Sequence, residues 1–341
     1  MTFTSRRRFL QLAGLAAAAA PVALADEPRH RRWADMIANN APVAPAPVRP
    51  DPGSWSAAGI TASWLGHATV LLDIQGKKII TDPVLSERIG IEVARLFTLG
   101  PKRLVEPALT VEELPPIDLI LLSHAHMDHL DLPTLRKFDR STPVIVAQNT
   151  VDVIEDMGFE TVYELDWGEW ANVGDIRVEA FEVKHFGWRF PWEEDRSKGF
   201  WNGRSYNAYL ISRNGRHVVF GGDTAHHEKF AALGERNLDI ELAIMPIGAY
   251  DPWIRNHCNP EQAVAMADQM GARAIMPIHW GTFVQSDEPT GEPIERFRRA
   301  LESRPDRLAL ARVGETWSSP GVESAGVSAG DTSPGSEEGS R

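Results

Sequence analysis

The chain has 341 residues, 35 Lys+Arg against 47 Asp+Glu, a formal net charge of −12 and 43% hydrophobic residues. That length and apolar content exclude a chain disordered throughout, and the acidic balance argues against a nucleic-acid backbone as partner. A single cysteine, Cys258, excludes an internal disulfide and a cysteine-rich metal site, while 11 tryptophans against 4 tyrosines exceed what core packing alone demands.

Residues 1–25 read as a leader rather than as structure. Arg6, Arg7 and Arg8 give a basic start, Leu12 to Ala20 is apolar and alanine-rich, and Ala23-Leu24-Ala25 forms a small-x-small cleavage site before Asp26. This is an export signal, too short and wrongly flanked for a membrane span. Arg7-Arg8 before Phe9-Leu10 resembles a bacterial twin-arginine signal, so the twin-arginine export machinery is an expected partner and the expected location is periplasmic or exported. A retained anchor is the alternative. Loss of the leader's three arginines moves the net charge from −12 to −15, a poor surface for anionic membranes by charge alone. Residues 26–53, with Ala, Pro and Gly concentrated over 41–53, are expected to be a linker or N-terminal arm. Residues 54–318 are expected to be the catalytic body, and 319–341 a disordered tail.

Within the body, short apolar runs alternate with turns. Strands are expected at 60–64, 69–74 and 78–81, with Gln75-Gly76 as a hairpin turn. Buried strands are expected at 117–122 and 143–147, an alternating one at 176–183, and a pair at 206–213 and 217–220 about Asn214-Gly215. Two more fall at 238–245 and 272–278. A helix is expected at 260–270, capped by Asn259 and opened by Pro260, and another at 290–302. Strands outnumber helices, which suggests packed sheets with helices outside, an α+β arrangement.

The most informative stretch follows the buried run ending at Leu122. Ser123-His124-Ala125-His126-Met127-Asp128-His129 places three histidines and an aspartate within six positions. His124 and His126 face one side of an extended segment, and Asp128 and His129 arrive as the chain turns. Imidazole and carboxylate suit zinc with an open position for water. His185, Asp223 and His279 also stand just past strand ends, where side chains converge, and Gly221-Gly222 lets the chain turn sharply before Asp223.

These residues resemble the metal set of the metallo-beta-lactamase-fold hydrolases. The resemblance implies a four-layer αβ/βα sandwich and two divalent ions, with zinc the expected metal. One ion would sit on His124, His126 and His185, the other on Asp128, His129 and His279, with Asp223 bridging. A narrower resemblance, to N-acyl-phosphatidylethanolamine-hydrolysing phospholipase D, rests on TASWLGHAT at 61–69, TDP at 81–83, GPKR at 100–103 and ELPPIDLILLSHAHMDH at 113–129. ELDW at 164–167, GGDT at 221–224, MPIGAYD at 245–251 and IHWGTF at 278–283 extend it. It implies phosphodiester cleavage by a hydroxide shared between the ions, the substrate being an N-acyl-phosphatidylethanolamine-like lipid or another glycerophosphodiester.

Asp128, Asp223 and His257 are the expected catalytic residues; His257 matches a family histidine near substrate. Asp82 and His67 are expected behind the ligands, Asp82 as acceptor for a ligand's outer N–H. Ser123 is a weak nucleophile candidate without a base. The stretch 186–201 is rich in aromatics and charge and disfavours a regular element. Trp188, Trp192 and Trp201 are its candidate substrate contacts, with a small satellite core as the alternative. Arg189, Arg196 and Arg204 suit either a phosphate or the neighbouring Glu193, Glu194 and Asp195. Peripheral membrane contact and oligomeric state stay open. The competing readings are a lactone or carboxylic-ester hydrolase on the same metals, and a non-catalytic metal-binding protein.

Overall fold

A computed structural model describes residues 41–319, so the expected leader and nearly all of the expected tail lie outside the described residues. Three antiparallel strands come first, β1 (Ile60–Gly66), β2 (Thr69–Ile74) and β3 (Lys77–Thr81). Gln75 and Gly76 turn between β2 and β3 with φ of 52° and 88°, the conformation a tight hairpin requires. A small hairpin, β4 (Ile91–Val93) and β5 (Phe97–Leu99), stands apart. Then β6 (Leu119–Leu121), the short helix α1 (Leu132–Leu135), β7 (Val144–Ala147) and β8 (Val162–Leu165) follow, the strands extending the sheet in parallel from β3.

The second sheet repeats this plan. Antiparallel β9 (Trp170–Val173), β10 (Ile176–Glu182), β11 (Asn207–Arg213) and β12 (Arg216–Phe220) come first. Helix α2 (Ala231–Gly234), β13 (Ile240–Pro246), α3 (Pro260–Gln269) and β14 (Ala274–Ile278) follow, with β12, β13 and β14 parallel. Helix α4 (Glu292–Ala300) leads to β15 (Thr316–Ser318), which returns to the first sheet beside β1.

Every residue of β1, β2 and β13 is buried, because both faces of these strands are covered. One apolar cluster joins the sheets: Leu71, Ile80 and Ile120 from the first, Val178, Ile211 and Ile244 from the second. A second cluster packs Ala263, Met266 and Phe297 of α3 and α4 on the outer side of the second sheet. On the first sheet, α1 and the turns around β7 supply Leu135, Phe138 and Ile154. The order is the expected four-layer αβ/βα sandwich. Helix α3 starts as its sequence demands: Asn259 Oδ1 accepts the Gln262 N–H at 2.9 Å, and Gln262 Oε1 accepts the Asn259 N–H at 3.1 Å.

The sequence reading omitted β4, β5, β8, β9 and β15. Each has three or four residues and is at least partly exposed, so none carries a sustained apolar alternation. At one end, Ala44 donates to Leu104 O at 2.9 Å and accepts from the Glu106 N–H at 2.8 Å, so the 41–53 segment lies on the body. At the other, Ser319 is buried and its N–H donates to Ile60 O at 2.8 Å. No helix of the described residues is long and apolar enough to cross a membrane.

Candidate metal centre

Strand ends deliver the site. His67 follows β1, Asp82 follows β3, the His124–His129 segment follows β6, His185 follows β10, Asp223 follows β12 and His279 follows β14. His67, Asp82 and His279 hold positive φ of 52°, 31° and 61°, a region that costs a non-glycine residue energy and persists only where neighbours enforce it. The neighbours are explicit. Trp64 Nε1 donates to His67 O at 2.7 Å, the His279 N–H donates to the same oxygen at 2.9 Å, and the His67 N–H donates to Thr282 Oγ1 at 2.8 Å. The turn after β1 is thereby fastened to the turn after β14. Gly222 matters for closeness: a Cβ there would lie 2.7 Å from Asn207 O and 2.9 Å from Ser123 Cβ. Only glycine lets Asp223 come in beside the segment that carries His124.

Among the described residues four overlapping groups have candidate ligand atoms within 4.8 Å of one another. The two four-membered ones are His124, His126, His185 and Asp223, and His67, Asp128, His129 and His279, while Asp82 with His124 and His129, and Asp223 with His257 and His279, link them. Asp223 Oδ2 reaches both. It lies 3.1 Å from His129 Nε2, 3.2 Å from His279 Nε2 and 3.9 Å from His185 Nε2. His257 Nε2 is also 3.2 Å from that oxygen.

Hydrogen bonds behind the groups fix most tautomers. Asp82 Oδ2 accepts His129 Nδ1–H at 2.6 Å, which leaves His129 Nε2 facing the centre. Asp82 also accepts the Ser123 N–H at 2.7 Å and the Ser123 hydroxyl at 2.5 Å. With its proton given to Asp82, Ser123 Oγ accepts Nδ1–H of His124 at 2.9 Å, so His124 Nε2 keeps its lone pair. His185 Nδ1 donates to Asn256 O at 2.8 Å, with the same consequence for its Nε2. His126 Nδ1 then lies 2.8 Å from His124 Nε2 and 3.2 Å from His185 Nε2. Three ring nitrogens thus converge with at most one proton, on His126 Nδ1, to share between two acceptors, an arrangement that a cation satisfies better. Ser123 is fully buried and positions His124 and Asp82 rather than facing a substrate.

Polar atoms and charge point the same way. His126 Nε2, His129 Nε2, His279 Nε2 and Asp223 Oδ1 are buried with no hydrogen-bond partner. Burial, then repulsion from His129 and other neighbouring rings, holds His124 well below the ordinary histidine range; burial chiefly does the same for His185 and lowers His126 to about 4. Burial also lowers His67 to about 3. These imidazoles are neutral, as ligands must be. Burial, the largest single influence, would raise Asp128 and Asp223, but His129 together with His279 and the other adjacent rings outweighs it and holds both well below the carboxylate range. Burial would lower His129 and His279, yet the Asp223 and Asp128 charges hold His129 well above its usual value and His279 at about 9. Two buried carboxylates thus demand positive charge, which protons or a cation can supply. The donor set fits divalent metal.

Residues 77–280 match the family described as the Beta-lactamase superfamily domain. The chain belongs to the beta-lactamase superfamily. It is a metal-dependent hydrolase of that superfamily, and the His/Asp groups are its metal-binding clusters. Among relatives, N-acyl-phosphatidylethanolamine-hydrolyzing phospholipase D 1 of Caenorhabditis elegans is 33% identical over 285 residues, 77% of this chain and 76% of that protein. An uncharacterized protein of Mycobacterium tuberculosis is 33% identical over 283 residues, 80% of this chain and 73% of that protein. The isothiocyanate hydrolase from Delia radicum gut bacteria superposes with a TM-score of 0.59 at 18% identity, over 76% of this chain and 100% of that one, a likeness of fold alone.

On this superfamily scaffold the expected aromatic insert divides in two. Phe186 lies 4.4 Å from the His126 ring and Trp188 lies 6.1 Å from it, ring centroid to centroid, so Trp188 borders the centre. Trp192 stacks on Phe190 and is 71% exposed, and Trp201 is 81% exposed; neither ring touches a site histidine. The three arginines choose protein partners. Arg196 pairs with Asp166, Arg204 with Asp152 and Glu193, and Arg189 donates to backbone carbonyls. Sequence reasoning missed Gln285, whose amide donates to Asp128 Oδ2 at 2.7 Å. It stands six residues past His279 in a loop, with no pattern to mark it.

Proposed function

We propose that this protein hydrolyses a phosphodiester, an N-acyl-phosphatidylethanolamine-like lipid or another glycerophosphodiester, with two zinc ions held by its paired His/Asp groups. The observation that carries the reading is Asp223 Oδ2 standing within reach of both groups, on a chain 33% identical to a phospholipase D over most of that relative's length. His124, His126 and His185 would hold one ion, and Asp128, His129 and His279 the other. Bound there, the ions supply a water of lowered pKa and positive charge against the substrate phosphate.

The chain's own residues do the rest. Asp82 and Ser123 hold His129 and His124 in the tautomers that turn their Nε2 atoms inward. Gln285 and His67 hold Asp128 from one side, at 2.7 and 3.1 Å. His257 is less buried than the rings of His129, His185 and His279, and its Nε2 beside Asp223 would give a proton to the leaving alcohol oxygen as the P–O bond breaks. Trp188 borders the entrance and suits an acyl chain at an apolar–polar boundary. Peripheral membrane contact through the exposed aromatic loop, and export through residues 1–25, belong to this proposal.

The test is product identity. Metal-loaded protein is given N-acyl-phosphatidylethanolamine, bis(p-nitrophenyl) phosphate and a lactone panel. Phosphatidic acid and an N-acylethanolamine support the reading. Fatty acid release, or turnover of lactones alone, replaces it with the ester or lactone chemistry. No turnover with two metals bound leaves the non-catalytic alternative.

A further inference from the structure

The loop between β10 and β11 is tied by charge to itself and to Asp152 of the segment after β7. Arg204 binds Asp152 Oδ2 through Nη2 at 2.9 Å and Glu193 through Nε and Nη2 at 2.9 and 3.1 Å. Glu193 Oε2 also accepts the backbone N–H of Arg189 at 2.7 Å. Gly187 passes so near the loop's other end that a Cβ would lie 2.3 Å from Arg204 O. This framework fixes the backbone at Arg189.

The Arg189 side chain then leaves the loop. Its Nη1 donates to Ala125 O at 2.7 Å and to Leu130 O at 3.0 Å. Ala125 and Leu130 are fully buried, and between them lie His126, Asp128 and His129. One guanidinium nitrogen thus grips both sides of the metal-binding turn. Among the described residues the Arg189 guanidinium forms no ion pair within 4.0 Å; its direct bonds are to these two carbonyls, while Asp131, Glu193 and Asp128 act on its charge from further off. Charge-assisted bonds of this kind are stronger than neutral ones and hold geometry.

We propose that Arg189 is a positioning residue that holds the 125–130 turn in its metal-binding shape, making the aromatic loop a structural part of the metal centre. The turn supplies ligands to both clusters, so loosening it should weaken both. The inference rests on the metal-site reading above and not on the substrate.

The experiment is zinc binding by chelator competition, with melting of the metal-free protein measured alongside. Wild-type protein that binds no zinc would sink the metal-site reading itself. Given wild-type binding, Arg189→Met should lose about tenfold to a hundredfold in zinc affinity while metal-free melting moves little. Arg189→Lys, which keeps a charged donor, should recover part of that loss. A folded Arg189→Met protein with wild-type affinity overturns the inference, as does a Lys variant no better than Met. If Arg189→Met does not fold, Glu193→Ala frees the arginine's backbone anchor instead. It should weaken zinc several-fold in the same direction, and unchanged affinity there also overturns the inference.

Discussion

The metal-binding floor and the aromatic loop touch at His126, Phe186 and Trp188, yet they are held by different forces. Floor residues sit at strand ends, nearly all of them buried, and several occupy backbone conformations that neighbouring turns enforce. The loop has one short turn of regular structure, Arg196–Lys198, and is held by ion pairs and stacked rings, with Phe200 and Trp201 turned to solvent. Sheet register places the floor, so a change there alters chemistry and packing together. Part-buried ion pairs and stacked rings place the loop, so a change at its outer rings should alter substrate choice and leave the chemistry standing, whereas a change at Arg189 or Glu193 should reach the metal-binding turn.

Removal of Asp223 should have the largest effect. Asp223→Ala takes away a carboxylate oxygen that stands close to the inward-facing ring nitrogens of both groups. We expect kcat/KM on bis(p-nitrophenyl) phosphate to fall on the order of a thousandfold or more, with loss of bound metal. Activity within tenfold of wild type, at unchanged metal content, would break the claim that one residue joins the clusters.

Asp82→Asn comes next. The amide is nearly isosteric but cannot accept from His129 Nδ1, the Ser123 N–H and the Ser123 hydroxyl with the same strength. Outer hydrogen-bond partners of metal ligands typically matter by about tenfold to a hundredfold in affinity. We expect a loss in that range by chelator competition. Equal affinity would show that Asp82 serves packing alone.

The same contrast governs what the sequence made legible. A buried run that ends abruptly in His, Asp or Gly-Gly-Asp is visible in one dimension, because the strand both hides its own residues and aims the next ones. His124, His185, Asp223 and His279 were readable for that reason, and Asp82 through its turn beside β3. Arg189 was not. From sequence it stood between a phosphate and the acids at 193–195, and its partners prove to be carbonyls about sixty positions earlier. Ser123 read as a weak nucleophile candidate until the fold placed Asp82 and His124 on either side of it. Gln285 needed the turn after His279 to bring it to Asp128. Strands such as β4 and β15 are too short and exposed to announce themselves.

Acid should separate the two clusters from each other. Burial lowers His279 but Asp223 and Asp128 raise it more, so in the metal-free protein it keeps a proton up to about pH 9. His129, held well above its usual value by the same carboxylates, keeps a proton too, so a cation must displace both, and affinity at the Asp128–His129–His279 group should fall by more than about tenfold for each pH unit below about 9. His126, lowered to about 4 chiefly by burial, has no proton to displace at neutral pH, and His124 and His185 are also held well below their usual value. The first group should therefore keep its affinity as pH falls toward about 4. Calorimetric zinc titrations between about pH 5 and 9 should resolve a tight, pH-insensitive event and a weaker, pH-dependent one. Two events that weaken in parallel would contradict this division.

The smallest effects belong to the loop's tryptophans, and they test the opening contrast from its other side. Trp188 borders His126, whereas Trp201 is mostly solvated and touches no site ring. Trp188→Ala should raise KM for a lipid substrate several-fold, a loss of contact area rather than of chemistry, and leave zinc affinity unchanged. Trp201→Ala should shift stability by less than about 0.5 kcal/mol, as surface substitutions commonly do. It should leave hydrolysis of bis(p-nitrophenyl) phosphate unaffected. Its informative readout is lipid presented in vesicles against the same lipid in detergent. A slower rate on vesicles alone would assign the exposed rings to contact with a bilayer. Equal rates on both would confine substrate recognition to Trp188 and the rings beside the metals.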